Sequence, residues 1–389
     1  MDFTTTEDQQ ALVGLATQIL GELATPKRLA ELEKSGTWYD DSLWRQLAEA
    51  GIVGAALSED VGGGGMGFTE LALLLEQVGA HVAPVPLFET VLCAALPIDV
   101  FGTPEQRTRD LPDVAAGQAL LTAALVESGR DDPRRPLTTA TPDDLQRQNV
   151  GAASQRAGSD ATGGWRVSGL KSCVPFAEQA RRILVPATTP DGDVVLALIE
   201  PTAAGVTLRP QVATNGQPQA ELELADVAVA GADVLPGGAE TLGWILDRAL
   251  TGLAATALGV SGRALAMSAQ YTSSREQFGR VVATFQAVGH RLADAYVDVE
   301  AMRLTTLQAV WLLDSGLPGS TEAAVAKWWA CEGGHRVAHA AQHVHGGVGV
   351  DVEYPLFRYF RWSKQLEMTL GAATAQLLRL GATLAAEPA

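Results

Sequence analysis

From Ser273 to Val299 the chain reads SSREQFGRVVATFQAVGHRLADAYVDV. Arg275 is a permanent cation whose planar fork matches phosphate oxygens. Phe285, Val288, Leu292, Ala295, Tyr296 and Val299 recur at three- and four-residue steps, the period of one helical face. Gln286 sits inside that apolar stripe, and a buried glutamine needs a hydrogen-bond partner. Arg275-Glu276-Gln277-Phe278-Gly279 interrupts the helical pattern. Taken by itself, the stretch also reads as a packed helix with a polar hinge at Gly279. Other chemistry-bearing patterns are absent. Cys93, Cys173 and Cys331 are far apart, and the six histidines show no metal-ligand spacing, so reduced thiols and no metal are expected. Val61-Gly-Gly-Gly-Gly-Met66-Gly67-Phe68 lacks the preceding strand of a phosphate cradle and reads as a mobile loop before a helix.

The elements that position these residues fall into three blocks. With 389 residues the chain is large enough for two or three subdomains. Residues 1–117 read as helices, opening on Thr4-Thr5-Thr6-Glu7 as a cap, with Pro84 and Pro86 as a stop. Residues 118–235 change to short β-branched runs: Leu120–Val126, Trp165–Ser168, Arg182–Pro186, Val194–Ile199 and Ala220–Val229. Pro142–Gly164 is polar and reads as an exposed, disordered loop. Residues 236–389 are helical again, with Ala249–Arg263 and Thr321–Ala341 as the clearest segments, a break at His345–Gly349, and a last helix after Tyr354-Pro355. The expected class is α+β: an N-terminal helical domain, a middle β-domain, and a C-terminal helical domain.

A composition 47% apolar and 19% charged is that of a globular chain. A net charge of −17 argues against a nucleic-acid partner. The longest apolar stretches are broken before membrane-spanning length, so no membrane span is expected. The opening MDFTTTEDQQ has no signal-peptide character, and a cytoplasmic location is the default.

RxQFGxxxxxFQxVxHxLAD resembles the acyl-CoA dehydrogenase family of flavoproteins, and helices, β-domain, helices is that family's order. The resemblance covers essentially the whole chain and implies an N-terminal helical domain, a β-domain and a C-terminal four-helix bundle. It implies α,β-desaturation of an acyl-CoA thioester: a carboxylate takes the α-proton and the β-hydrogen leaves as hydride to FAD. It also implies that Arg275, Gln277, Phe278 and Gln286 reach across a subunit interface to a neighbouring chain's FAD, with Arg275 at the pyrophosphate and Phe278 on adenine. Gln342-His343-Val344-His345-Gly346-Gly347 resembles the family's QxHGG turn, which adds His343, Gly346 and Gly347 to that half-site. His343 stands where the family usually has glutamine, which alters that contact. In this family the glycine loop before Phe68 lies near the acyl pocket.

On the flavin-ring side the chain departs from the family. Val126-Glu127-Ser128-Gly129 and Lys171-Ser172-Cys173-Val174-Pro175-Phe176 stand where TEPxxGSD-like and WxTN-like runs are expected, so Val126 lacks a hydroxyl and Pro175 lacks a backbone donor. Leu370 and Ala249 occupy the two positions where the family carries its base, so the catalytic residue is unknown. Glu367, Asp247 and Glu300 are the substitutes weighed, with Glu367 first. Three functions follow. The leading one is the base-lacking subunit of an α2β2 steroid side-chain acyl-CoA dehydrogenase, of the kind found in actinobacteria, completing the FAD site of a homologous subunit that carries the carboxylate. The second is a self-sufficient homotetramer with a relocated base. The third is a non-redox acyl-CoA-binding or structural subunit. Family resemblance gives an electron-transferring flavoprotein as acceptor.

Overall fold

The computed structural model describes residues 3–130, 132–143 and 163–386; most of the polar 142–164 stretch lies outside the described residues. The N-terminal part contains α1 (Glu7–Leu23), α2 (Pro26–Ser35), α3 (Asp41–Glu49) and α4 (Phe68–Ala80). Thr6 closes a capping box with Gln9 on α1, and Thr25 caps α2 ahead of Pro26. The glycine loop before α4 is tied down: Gly63, Gly64 and Gly65 donate to the carbonyls of Ser58, Gly54 and Leu57. Asp314, from a distant helix, accepts from the Phe68 backbone N–H at 2.8 Å and so caps α4. After Pro84 and Pro86 the chain forms a nine-residue π-helix, Leu87–Ala95, then α5 (Leu96–Phe101) and α6 (Pro104–Ala115). A π-helix of this length is rare and re-aims its side chains relative to an α-helix.

The middle part is an eight-stranded sheet: β1 (Leu121–Ala123), β2 (Thr139–Pro142), β3 (Trp165–Pro175), β4 (Arg182–Thr188), β5 (Val194–Ile199), β6 (Val206–Val212), β7 (Pro218–Val229) and β8 (Val234–Leu235). The order is β6-β7-β3-β2-β4-β5-β8, with β1 parallel to β4. The sequence pattern does not predict β2, β6 or β8, because each is short or half-exposed. β3 and β7 lose register between Lys171 and Val174, which puts Cys173 at φ +53. Ser172 N–H donates to the Val126 carbonyl at 2.9 Å, so the two ring-side motifs touch.

The C-terminal part begins with α7, 37 residues from Gly238 to Ser274. α7 has the length and composition to cross a membrane, yet 78% of its most apolar window is buried. It is the core helix of this fold. α4 crosses it at closest approach: a Cβ on Gly259 would stand 1.9 Å from the Glu76 carbonyl, and one on Gly79 would stand 2.0 Å from that of Thr256. Then follow β9 (Glu276–Gln277), β10 (Arg280–Val281), α8 (Gln286–Asp314), α9 (Ser320–His345), α10 (Leu356–Met368) and α11 (Ala373–Ala386). The sequence suggests one last helix; there are two, separated by a turn at Leu370-Gly371. Helices, sheet and helices therefore give the expected class.

Candidate FAD half-site and a narrow cavity

The Ser273–Val299 stretch is two helix ends joined by a hairpin. α7 stops at Ser274, and β9 and β10 pair through Gln277↔Arg280 and Glu276↔Val281. Phe278 and Gly279 form the two-residue turn with φ of +55 and +77, the left-handed pair a tight hairpin requires. A phenylalanine there is strained, and its ring is 92% exposed. Phe285 braces the tip, with the Phe278 ring 6.2 Å away edge-on and the Arg280 guanidinium 4.1 Å over its own ring. Val282 N–H closes the loop onto the Arg275 carbonyl at 2.8 Å.

The Gln286 expectation is corrected. It is the first residue of α8, it is exposed, and its side chain meets His290 at 3.4 Å. The apolar stripe continues behind it through Ala295 and Val299, while Tyr296 faces outward. Gln277 is also exposed, and its amide donates to the Glu276 carbonyl at 2.8 Å. Arg275 is exposed and makes no ion pair among the described residues. No side chain caps the start of α8.

The QxHGG-like turn packs near the end of α7. Tyr271, one helical turn before Arg275, stacks on His345 at 4.4 Å, and His345 Nε2 meets the Tyr354 hydroxyl at 3.1 Å. Gly346 adopts φ +60, ψ −138, a conformation open essentially to glycine alone. A Cβ on Gly346 or Gly347 would meet nothing within 4 Å, so both face open space. His343 is exposed, whereas Gln342 donates to the Gly346 carbonyl at 3.1 Å and shapes the turn from within.

The flavin-ring positions and the base position meet elsewhere. Val126, Cys173, Pro175 and Leu370 line one cavity between sheet and helices, together with Leu253 and Thr256 of α7. Its free volume is about 80 Å³, against roughly 300–1,000 Å³ for ordinary ligand sites. Leu370 keeps an unusual backbone, φ +55, held by Gln376 donating to the Leu370 and Gly371 carbonyls at 3.3 and 2.9 Å. Leu370 is 6% exposed and lines the cavity. Ala249 is fully buried on α7. Lys327, buried on α9, donates to the Leu366 and Glu367 carbonyls at 2.7 and 3.1 Å and caps α10 just before this turn.

The expected substitute acids are all engaged outside the cavity. Glu367 Oε2 accepts from Lys364 Nζ at 2.6 Å and meets His335 Nδ1 at 3.2 Å. Burial opposes its charge, but these partners hold it below the usual carboxylate range. Asp247 binds Arg134 at 2.5 Å and the Ser320 hydroxyl. Glu300 pairs with Arg303 on the α8 surface, which lowers its pKa. A different acid lines the cavity: Glu89 of the π-helix, 8% exposed, accepting from Gln217 Nε2 at 2.5 Å. Burial pushes its carboxyl up to about 7. Its one sequence signal is a lone carboxylate inside the apolar run VPLFETVLCAALP.

The ring-side loop is anchored by another buried pair. Lys171 Nζ donates to Glu127 Oε1 and to the Pro186 carbonyl, both at 2.7 Å. Burial opposes the Glu127 charge, but Lys171 and the Leu137 and Thr138 N–H donors outweigh it and lower its pKa. Burial brings Lys171 down to about 8.

For FAD, the two sides differ in fit. The hairpin, the uncapped α8 start and the open Gly346-Gly347 turn suit a dinucleotide. The narrow cavity, of about 80 Å³ and without a hydroxyl at Val126 or an N–H at Pro175, does not suit an isoalloxazine.

The acyl-CoA dehydrogenase N-terminal domain profile matches residues 6–118, and the C-terminal domain profile matches residues 237–385. The chain is 38% identical to acyl-CoA dehydrogenase FadE27 of Mycobacterium tuberculosis, covering 100% of both chains. It is similar to a solved structure described as a variant of the Tcur3481-Tcur3483 steroid ACAD, with 45% identity, a TM-score of 0.88, and coverage of 97% of this chain and 98% of that one. It is also similar to the ChsE4-ChsE5 complex from Mycobacterium tuberculosis, with 38% identity, a TM-score of 0.90 and full coverage of both chains. The chain belongs to the acyl-CoA dehydrogenase family, flavin-dependent oxidoreductases whose cofactor is FAD.

Proposed function

We propose that this chain is the base-lacking subunit of a heteromeric acyl-CoA dehydrogenase. It lends Arg275, Phe278, Gln286, Gly346 and Gly347 to the FAD of a homologous subunit that carries the carboxylate, in an α2β2 assembly. Gln277 and His343 stand at the edge of that half-site. One contrast carries the reading: Phe278, Gly346 and Gly347 of the dinucleotide elements are exposed, while Leu370, which cannot take a proton, stands at the base position on the wall of the chain's own cavity. The substrate is the CoA thioester of a steroid side chain, a reading supported by relatives described as a steroid ACAD and as a two-subunit complex. Electrons pass to an electron-transferring flavoprotein.

In this arrangement FAD supplies the hydride acceptor, and the partner's carboxylate takes the α-proton. Arg275 offers two parallel N–H donors to a phosphate, and the uncapped start of α8 adds to that field. Phe278 gives an aromatic face to adenine. Gly346 and Gly347 let the backbone approach without side-chain contact.

The test is flavin per chain, from visible absorbance of the protein purified alone and co-expressed with a homologous base-bearing subunit. The expected result is little flavin alone and about one FAD per pair of unlike chains together. One tightly bound FAD per chain in the lone protein would overturn it.

A further inference from the structure

The turn between β6 and β7 is fastened to α10. Thr214 N–H donates to Gln365 Oε1 at 3.0 Å, and Arg361 Nε donates to the Thr214 carbonyl at 2.6 Å. Neither Nη atom of Arg361 has an acceptor among the described residues, and neither has Trp38 Nε1. The two sets of donors converge on Gly216. A Cβ there would stand 3.6 Å from Arg361 Nη2, 4.0 Å from Trp38 Nε1 and 3.2 Å from Trp38 Cδ1. Gly216 takes φ +95, a conformation that favours glycine, and its missing side chain leaves the space between the donors clear.

That space belongs to a groove of about 310 Å³ between α2 and α10, with Leu29, Leu32, Val82 and Pro84 on its apolar walls. Glu33 and Arg358 also line it, but they neutralise each other through two bonds, at 2.7 and 2.8 Å. Arg361 is therefore the one uncompensated charge among the lining residues. Trp38 packs on both Trp362 and Phe176, with ring centroids 5.7 Å away in each case, and stays in place as a wall of the groove. An apolar trough with one free cation and an extra N–H at one end matches an amphiphile with a single carboxylate. The volume is at the small end of ordinary ligand sites, roughly 300–1,000 Å³, and suits a chain of about eight carbons.

We propose that this groove is a binding site for a free medium-chain carboxylic acid, apart from the FAD half-site and independent of the function proposed above. The carboxylate lies over Gly216, accepting from Arg361 Nη2 with one oxygen and from Trp38 Nε1 with the other. The alkyl chain lies along Leu29, Leu32, Val82 and Pro84. No bond is made or broken; the site recognises. An alcohol of the same length fills the trough but leaves the guanidinium unmatched, which is the basis of selectivity.

The test is calorimetric titration of the full-length protein, with any subunit that accompanies it, using octanoate, 1-octanol and octylamine. Octanoate should bind about tenfold more tightly than 1-octanol, and octylamine more weakly still. In Arg361→Gln the preference for octanoate should shrink to about twofold or less. Trp38→Phe keeps an aromatic plate and removes the N–H, so it should weaken octanoate about threefold and leave 1-octanol unchanged. Octanoate binding should persist at saturating octanoyl-CoA. Either variant decides the matter if the other does not fold. The proposal falls if octanoate does not bind, if 1-octanol or octylamine binds as tightly, or if the preference survives undiminished in either variant. It also falls if octanoyl-CoA displaces octanoate, because the acid would then occupy an acyl-CoA site. Flavin stoichiometry of the heteromer is independent of all these outcomes.

Discussion

Replacing Glu89 by glutamine should stabilise the protein at alkaline pH and leave it nearly unchanged in acid. Burial raises the carboxyl from an ordinary 4.5 to about 7. Between those values the native state binds more protons than the unfolded chain, so stability falls as pH rises through that window. The gap of about 2.5 pH units corresponds to about 3 kcal/mol at pH 8. Gln217 Nε2 can still donate to the amide oxygen of the variant, so the bond at 2.5 Å has a replacement. Melting entropy near 2 cal/mol/K per residue over the chain converts this to roughly 4 °C. Melting curves of wild type and Glu89→Gln at pH 5 and pH 8 give the answer. A variant that melts lower at both pH values, or whose advantage does not grow with pH, would refute the buried, proton-holding carboxyl.

Three further outcomes are expected. Arg275→Ala and Phe278→Ala, each made in this chain only, should lower the flavin content of the co-purified complex severalfold, read by absorbance, while circular dichroism stays unchanged. Glu367→Gln should leave turnover of the complex within about twofold of wild type, because Lys364 and His335 already occupy that carboxylate; abolished turnover would favour a relocated base. Lys327→Met should cost about 2–4 kcal/mol in chemical denaturation by leaving the Leu366 and Glu367 carbonyls without their donor.

The order of helices, sheet and helices is legible because hydrophobic period changes from 3.6 to 2 and back along the chain. β4 and β5 carry strong β-branched signals. The weak ones, β2, β6 and β8, owe their existence to neighbours far away in sequence. The interruption at Arg275–Gly279 is visible, but its form is not: a phenylalanine with positive φ runs against propensity, and only the tight turn imposes it. Gln286 departs from expectation for a related reason. A stripe of apolar residues suggests one buried face, whereas α8 begins at Gln286 and its first turn faces outward. The missing carboxylate at Leu370 is readable from type alone. Glu89 is not, because its meaning arises from residues 89, 217 and 370 meeting in space, and no local pattern encodes that.

The 37-residue helix α7 has a mechanical consequence. Leu253 and Thr256 form part of the cavity wall, and the same unbroken rod ends at Arg275. Leu253 and Arg275 are separated by about 33 Å at 1.5 Å per residue. A rod of that length acts as a lever: a tilt of about 5° about Gly259, about 24 Å from Arg275, would swing the hairpin tip by about 2 Å. The crossing at Gly79 and Gly259, where two backbones touch without side chains between them, is the natural fulcrum. Enlarging either glycine would push the rod off its pivot and misdirect the hairpin, with no residue of the half-site itself altered.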